Sequence, residues 1–357
     1  MRRIKLVVSD FHLGRGRVDA EGRLNDREDF HQGDKFVEFV EYYGGRRHYH
    51  DDVELIFNGD LFEFLDVYDG DLVTDRETEQ TALWKLQRII DGHAKVFDAV
   101  ADFASRPGKR VVILVGNHDA ALLWPTVRAQ VAKRIGGDIR FYDNDYSFGV
   151  VHIAHGHQLE FLNAFNTRNY DYRDAHGERI LRMPPVSRFV MQYISPLKKT
   201  RPYINKIRPF RIYLKYAFIN DHVFFWQQLT GIVRFWVRNR LSRDPVTRRE
   251  FRLSWRRMAN AYGHASMDEG ADAILKNTKY RYVIFGHTHK YGHRRFGAYG
   301  EALNTGTWTD LISLDASNLG RRVTRTYVHI DATDEESPVV RLKVWHGTQQ
   351  VEEDLIG

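Results

Sequence analysis

Val111-Val-Ile-Leu-Val115 runs directly into Gly116-Asn-His-Asp119. A short apolar, mostly β-branched run that stops at a polar cluster reads as a strand buried on both faces and ending in a loop with chemistry on it. The same pattern occurs four more times. Ile4 to Ser9 leads into Asp10-Phe-His12, and Val53 to Asn58 into Asn58-Gly-Asp60. Val150 to Ala154 leads into His155-Gly-His157, and Tyr282 to Phe285 into Gly286-His-Thr-His289. Gly33 to Tyr43 and Glu77 to Phe103 carry helical spacing and fit crossovers between strands, the second as one long helix. Buried strands alternating with helices predict an α/β layered body. In open α/β sheets the loops at the carboxyl ends of strands converge on one crevice, so the five clusters are expected to share a site.

Outside these runs the chain changes character. From Gln158 to Lys279 the strand pattern gives way to helical, aromatic and basic segments, with prolines at 184, 185, 196, 202 and 209. It returns at Tyr282 and continues in Arg322 to Ile330 and Val339 to Trp345. The expected organisation is therefore one body, residues 1–160 with 280–357, interrupted by a helical insertion or cap at 161–279. A length of 357 residues with 43% hydrophobic and 28% charged residues excludes a disordered chain or a collagen. With no cysteine there is no disulfide, no thiolate nucleophile and no zinc finger, so a metal must be held by His, Asp, Asn or Glu.

The net charge of +6 hides an asymmetry. Residues 166–257 hold 21 Lys and Arg against 6 Asp and Glu, a net of +15, which leaves 32 against 41, or −9, for the rest. An acidic body suggests carboxylates gathered for cations, and a basic segment suggests an anionic partner.

Taken together, the ordered clusters DxH, GD, GNHD, His-Gly and GHxH resemble the signature of the calcineurin-like metallophosphoesterases. The resemblance implies an α/β/β/α β-sandwich of four layers with two divalent metal ions between the loops. It assigns Asp10, His12 and His289 to the first ion, Asn117, His155 and His287 to the second, and Asp60 to both. Oxygen and imidazole donors without sulfur suit manganese, with iron and zinc as alternatives. Two such ions polarise phosphoryl oxygens and acidify a bridging water, whose hydroxide attacks phosphorus without a protein nucleophile. His118, not needed as a ligand, is then expected to contact a phosphoryl oxygen or protonate the leaving group, with Asp119 orienting its ring. The resemblance makes His155, the His before Gly, the expected ligand, and His157 a phosphate contact or a side chain behind the ligands. His48, His50, His152, His293 and His329 read as structural or exposed.

Gly59-Asp-Leu-Phe-Glu-Phe64, together with the helical insertion, also resembles the branch of UDP-2,3-diacylglucosamine pyrophosphohydrolases, which act at a membrane face. Those enzymes typically carry Arg where this chain has His118 and an acidic residue where it has His157. Within the insertion, 16 aromatic residues stand beside the basic ones among the 92 of 166–257. That mixture predicts a cap whose basic residues bind substrate and whose aromatic face meets anionic lipid. Stacking of nucleic-acid bases is the competing use. The amino terminus shows no export signal, since Asp10 and His12 follow a very short apolar run, so the expectation is a cytoplasmic protein, peripheral on the membrane if the cap touches lipid. The leading function is a metallophosphoesterase cleaving a phosphodiester or pyrophosphate bond in an anionic, amphiphilic, lipid- or nucleotide-linked substrate. A metal-dependent nuclease on DNA or RNA is the alternative, and a non-catalytic scaffold on the same fold the third reading.

Overall fold

A run that is apolar at every position forms a stable strand only when both of its faces are covered, and here each face meets a different layer. In the computed structural model, which describes residues 1–18, 22–67, 76–174, 176–260, 267–315, 319–348 and 352–354, the runs form strands Arg3–Val8, Asp52–Asn58, Lys109–Leu114, Val151–Ala154 and Tyr282–Phe285. The side chains alternate between two cores. Ile4, Leu6 and Val8, with Val53, Leu55, Phe57, Val111 and Ile113, point into a core shared with helices Gly33–Gly44, Glu79–Gly92, Ala94–Ser105 and Pro125–Ile135. Val7, Ile56, Val112 and Leu114 point the other way, against Val151, Ile153, Ile284 and Leu303 of a second sheet.

The larger sheet has seven strands in the order Glu352–Asp354, Val339–Trp345, Thr326–Asp331, Arg3–Val8, Asp52–Asn58, Lys109–Leu114 and Asp138–Tyr142. Its last four strands are parallel, and Arg3–Val8 meets Thr326–Asp331 antiparallel. The smaller sheet runs Tyr291–Phe296, Gly300–Thr305, Tyr282–Phe285, Val151–Ala154, Asp145–Phe148, with its three central strands parallel. On its outer face Val283 and Phe285 pack with Ala271 and Leu275 of helix Met267–Asn277. Helices, sheet, sheet and helix make the four-layer α/β/β/α sandwich.

Two local expectations differ from the structure. The long helix over Glu77 to Phe103 is broken at His93 into Glu79–Gly92 and Ala94–Ser105. The break lies where the chain presses on the loop after the first strand: a Cβ on Gly92 would sit 2.2 Å from the Arg15 carbonyl oxygen, so this contact admits only glycine. The stretch from Gln158 to Lys279 is not wholly helical, since Asp171–Arg173 and Arg179–Leu181 pair as a hairpin and Ile207–Arg208 pairs with Leu311–Ser313. Helices Phe210–Asn220, His222–Arg240 and Pro245–Asn260 follow, and Met267–Asn277, within the expected insertion, is the sandwich's outer layer.

Candidate metal centre

Three of the polar clusters follow adjacent parallel strands of the larger sheet and two follow adjacent parallel strands of the smaller, and the backbone keeps the first two loops in register past their strands. Asp10 N donates to the Gly59 carbonyl (3.2 Å), His12 N to that of Asp60 (3.0 Å) and Leu13 N to that of Leu61 (2.9 Å). Between the two site residues Phe11 is fully buried, stacked on Trp308 (ring centroids 5.5 Å apart) and Phe30 (5.2 Å). That anchor fixes the loop from behind, so Asp10 and His12 face forward. Both have positive φ, at 55° and 49°, as do Asp60 (52°), His287 (68°) and His289 (60°). Only one other described non-glycine residue, Arg325, shares this conformation. Left-handed backbone costs an ordinary residue of order 1–3 kcal/mol, so strain is concentrated where these side chains converge. The third loop approaches closely as well: a Cβ on Gly116 would lie 2.2 Å from Asp60 Oδ1.

Three overlapping groups of donor atoms result, each within 4.8 Å of one another: Asp10, His12 and His289; His12, Asp60 and His118; Asp60, His155 and His287. His12 Nε2 and His289 Nε2 are 3.1 Å apart, with Asp10 Oδ1 3.4 Å from the latter. His155 Nε2 lies 3.1 Å from Asp60 Oδ2. Imidazole nitrogens aimed at each other and at carboxylates, inside a pocket, are a donor set waiting for cations. Among the described residues the buried Asn117 Oδ1 has no hydrogen-bond partner, which is costly unless it too meets a cation. The clustered residues fit a dinuclear site.

The rings are oriented from behind. His155 Nδ1 donates to the Asn58 carbonyl at 2.7 Å, turning Nε2 toward Asp60. Asp10 accepts from His287 N (2.9 Å), and Asn304 Nδ2 donates to the Gly286 carbonyl (2.7 Å), so the Asn304–Thr307 turn props the loop carrying His287 and His289. Burial acts against ionisation of Asp60, but His155, His118 and His12 outweigh it and hold its carboxyl well below the usual range. Burial would likewise lower His155, yet Asp60 dominates and raises it to about 9. Burial and the charge of His12 push His289 far down.

Glu63 is the residue that sequence reasoning missed. Its carboxylate accepts from His12 Nδ1 (2.8 Å) and from His118 Nδ1 (2.8 and 2.9 Å), so one group holds two rings of the site. Burial lowers the His118 pKa, but Glu63, with help from Asp60, overrides it and raises it to about 10; a dication nearby would oppose that rise. The expected orientation of the His118 ring by Asp119 is therefore corrected. Asp119 is fully buried and accepts from the backbone N–H groups of Gly116 (2.5 Å) and Leu61 (2.8 Å), so it ties the third loop to the second. His118 N in turn donates to Asp60 Oδ1 at 2.8 Å. The signal was present: a lone Glu in the apolar run Leu61-Phe-Glu-Phe-Leu65 is bound to be buried, and a buried carboxylate needs partners.

Of the two places expected for His157, the structure has the one behind the ligands. A left-handed Gly156 (φ 110°) starts a tight turn that carries the ring inward, where it stacks on Phe165 (4.8 Å) and is fully buried. It lies behind His155 and does not line the cavity, so the phosphate-contact reading is replaced by a supporting one. That cavity, of about 980 Å³, opens over His12, Asp60, Asn117, His118, His287 and His289. Part of its lining comes from the segment after the hairpin and includes Phe189, Ile194, Lys198, Lys206, Arg208 and Phe210. Arg256 and Arg257, also within the basic stretch, lie outside the described side chains. A family model described as calcineurin-like phosphoesterase matches residues 5–291. No curated protein matches the chain.

Proposed function

The chain belongs to the calcineurin-like phosphoesterases and is a metal-dependent hydrolase, and on that premise we propose that it holds two divalent ions and cleaves a phosphodiester or pyrophosphate bond in an anionic, amphiphilic substrate. The observation that carries the reading is the overlap of the donor groups, in which Asp60 joins the His155–His287 group to the one containing His12. Asp10, His12 and His289 would hold one ion, Asn117, His155 and His287 the other, and Asp60 both. Manganese fits these oxygen and imidazole donors, as do iron and zinc. When bound, such ions polarise phosphoryl oxygens and acidify the attacking water.

The remaining work falls to the chain's own side chains. With Nδ1 engaged by Glu63, His118 presents Nε2 to the cavity, where it donates to a phosphoryl oxygen or gives its proton to the leaving oxygen. Residues 1–160 with 280–357 act as the catalytic body and 161–279 as its cap, with the helix Met267–Asn277 serving the body. The apolar side chains of the cap divide between two uses. Phe235 packs on Phe189 and Phe251, whereas Val223, Trp226, Val233 and Val237 are exposed along one face of helix His222–Arg240, beside the exposed Arg234 and Arg238. An apolar stripe flanked by cations suits an anionic lipid surface. No described helix is long and apolar enough to cross a membrane.

The test is reconstitution of the purified protein with Mn²⁺, Fe²⁺ or Zn²⁺ and assay against bis(p-nitrophenyl) phosphate and ADP-ribose. Metal-dependent release from either supports the reading, and release from neither overturns it. Asp60→Asn and His289→Ala should abolish turnover while leaving the unfolding transition in place. Flotation on anionic vesicles without DNA cleavage supports the lipid-facing cap. Salt-sensitive DNA retention with cleavage supports the nuclease instead, and the full ligand set argues against a scaffold.

A further inference from the structure

Three cations from the cap reach the cavity wall, and two are already matched. Lys198 Nζ lies 2.6 Å from Asp66 and 3.2 Å from Asp29, and Lys206 Nζ lies 3.2 Å from Asp29. Arg208 differs. Its Nη1 donates to the carbonyls of Asn205 (2.8 Å) and Ile207 (3.0 Å), and among the described residues Nε and Nη2 have no hydrogen bond and no carboxylate lies within ion-pair distance. Burial lowers its pKa, and the only carboxylate acting on it, at longer range, is Asp29. The backbone beneath is fixed, because Ile207–Arg208 pairs with Leu311–Ser313 and Leu314 N donates to the Arg208 carbonyl at 2.8 Å. A half-buried guanidinium, held rigidly and facing a cavity, is poised to pair with an anion there.

We infer that Arg208 binds a second phosphoryl group of the substrate, next to the one at the metal centre, and so selects pyrophosphate-linked substrates over simple phosphodiesters. This rests on the proposed dimetal reading. A phosphodiester carries a single negative charge, which the ions would take, leaving Arg208 without an anionic partner. Arg208 lines the same cavity as His12, Asp60, His287 and His289, which places it on the space a substrate at the metal residues would fill. A pyrophosphate diester, with two adjacent anionic groups, offers one to the ions and one to the guanidinium.

The experiment compares wild type, Arg208→Ala and Arg208→Lys, each reconstituted with Mn²⁺, in two ways. Turnover is measured on ADP-ribose and on bis(p-nitrophenyl) phosphate, and equilibrium binding of methylenediphosphonate is measured by calorimetry. Loss of a charge-assisted pair predicts that Arg208→Ala raises KM for ADP-ribose and weakens methylenediphosphonate about 10- to 100-fold. Turnover of bis(p-nitrophenyl) phosphate should stay within about twofold on the same grounds, and Arg208→Lys should recover part of the loss. Equal effects on both substrates, or unchanged diphosphonate binding in a folded Arg208→Ala protein, would overturn the inference. If wild type hydrolyses neither substrate, the dimetal reading fails on its own, and the diphosphonate comparison still decides the role of Arg208.

Discussion

Replacing Glu63 by Gln tests whether one carboxylate holds two working rings. In the wild type, Glu63 accepts from Nδ1 of His12 and of His118, at 2.8 to 2.9 Å, in a buried position. Each is a hydrogen bond to a charged group, worth about 1.5–3 kcal/mol. An amide of the same size keeps one acceptor and gains an NH₂, so it can satisfy only one ring as before. The other must turn Nδ1 into an acceptor, which puts the proton on Nε2. For His12 that removes the lone pair proposed to bind a metal, and loss of such a supporting partner lowers metal affinity about 10- to 100-fold, or about 1.4–2.8 kcal/mol. For His118 it disturbs a general acid, a role typically worth about 10²- to 10⁴-fold in rate. The assay is metal content after dialysis against a buffered series of free Mn²⁺, followed by kcat at saturating metal. Loss in both readouts, with kcat still low once the metal is restored, is expected. Wild-type affinity together with wild-type kcat in a folded Glu63→Gln protein would refute the shared-carboxylate argument.

Other outcomes follow from the same contacts. Phe11→Ala removes a fully buried ring behind the Asp10–His12 loop and should destabilise the fold by about 3–5 kcal/mol in urea unfolding; a loss below about 1 kcal/mol would contradict the anchor. Lys198→Ala leaves Asp29 and Asp66 short of a buried cation, though Lys206 and Arg27 remain on them. It should therefore cost about 3 kcal/mol, the low end for a broken buried pair, measured by the same unfolding. Without metal, His155 keeps its proton up to about 9, so metal uptake below that pH should expel it and affinity should rise as pH rises toward 9. Calorimetry in buffers of differing ionisation enthalpy counts those protons, and none released at pH 7 would contradict the assignment.

How far the sequence could be read depends on how far apart the determining contacts lie. The five strands were legible because burial on both faces leaves a continuous apolar run, a property of neighbouring residues alone. The break at His93 was not, since it depends on Gly92 meeting Arg15 far away in the chain. The hairpin Asp171–Arg173 with Arg179–Leu181 was hidden for another reason: its strands are three residues each, too short to show a period of two. Ligand types were visible at strand ends because the fold delivers them there. That Glu63 would be buried was visible too, but not which rings it would meet, since it belongs to a different loop from His12 and His118.

Asp119 is expected at the His118 ring because it is next in the chain, and for His157 the sequence leaves open a phosphate contact or a place behind the ligands. Adjacency says little in loops whose backbone leaves the β region. Gly156 has positive φ and Asp119 lies outside both the helical and the strand regions (φ −115°, ψ 29°), so at each the chain turns within a residue or two, sequence neighbours diverge and distant residues meet. Asp119 is turned toward the N–H groups of Gly116 and Leu61, and Glu63 takes the His118 ring. The strained residues are thus what allow acidic and imidazole groups from separate strands to face one another, and the same strain makes their pairing unreadable from spacing. Arg208 carries this furthest: nothing near it in sequence distinguishes it from the other basic residues of its stretch, whereas its strand is held by Leu311–Ser313, far away in the chain, on the cavity that the histidines also line.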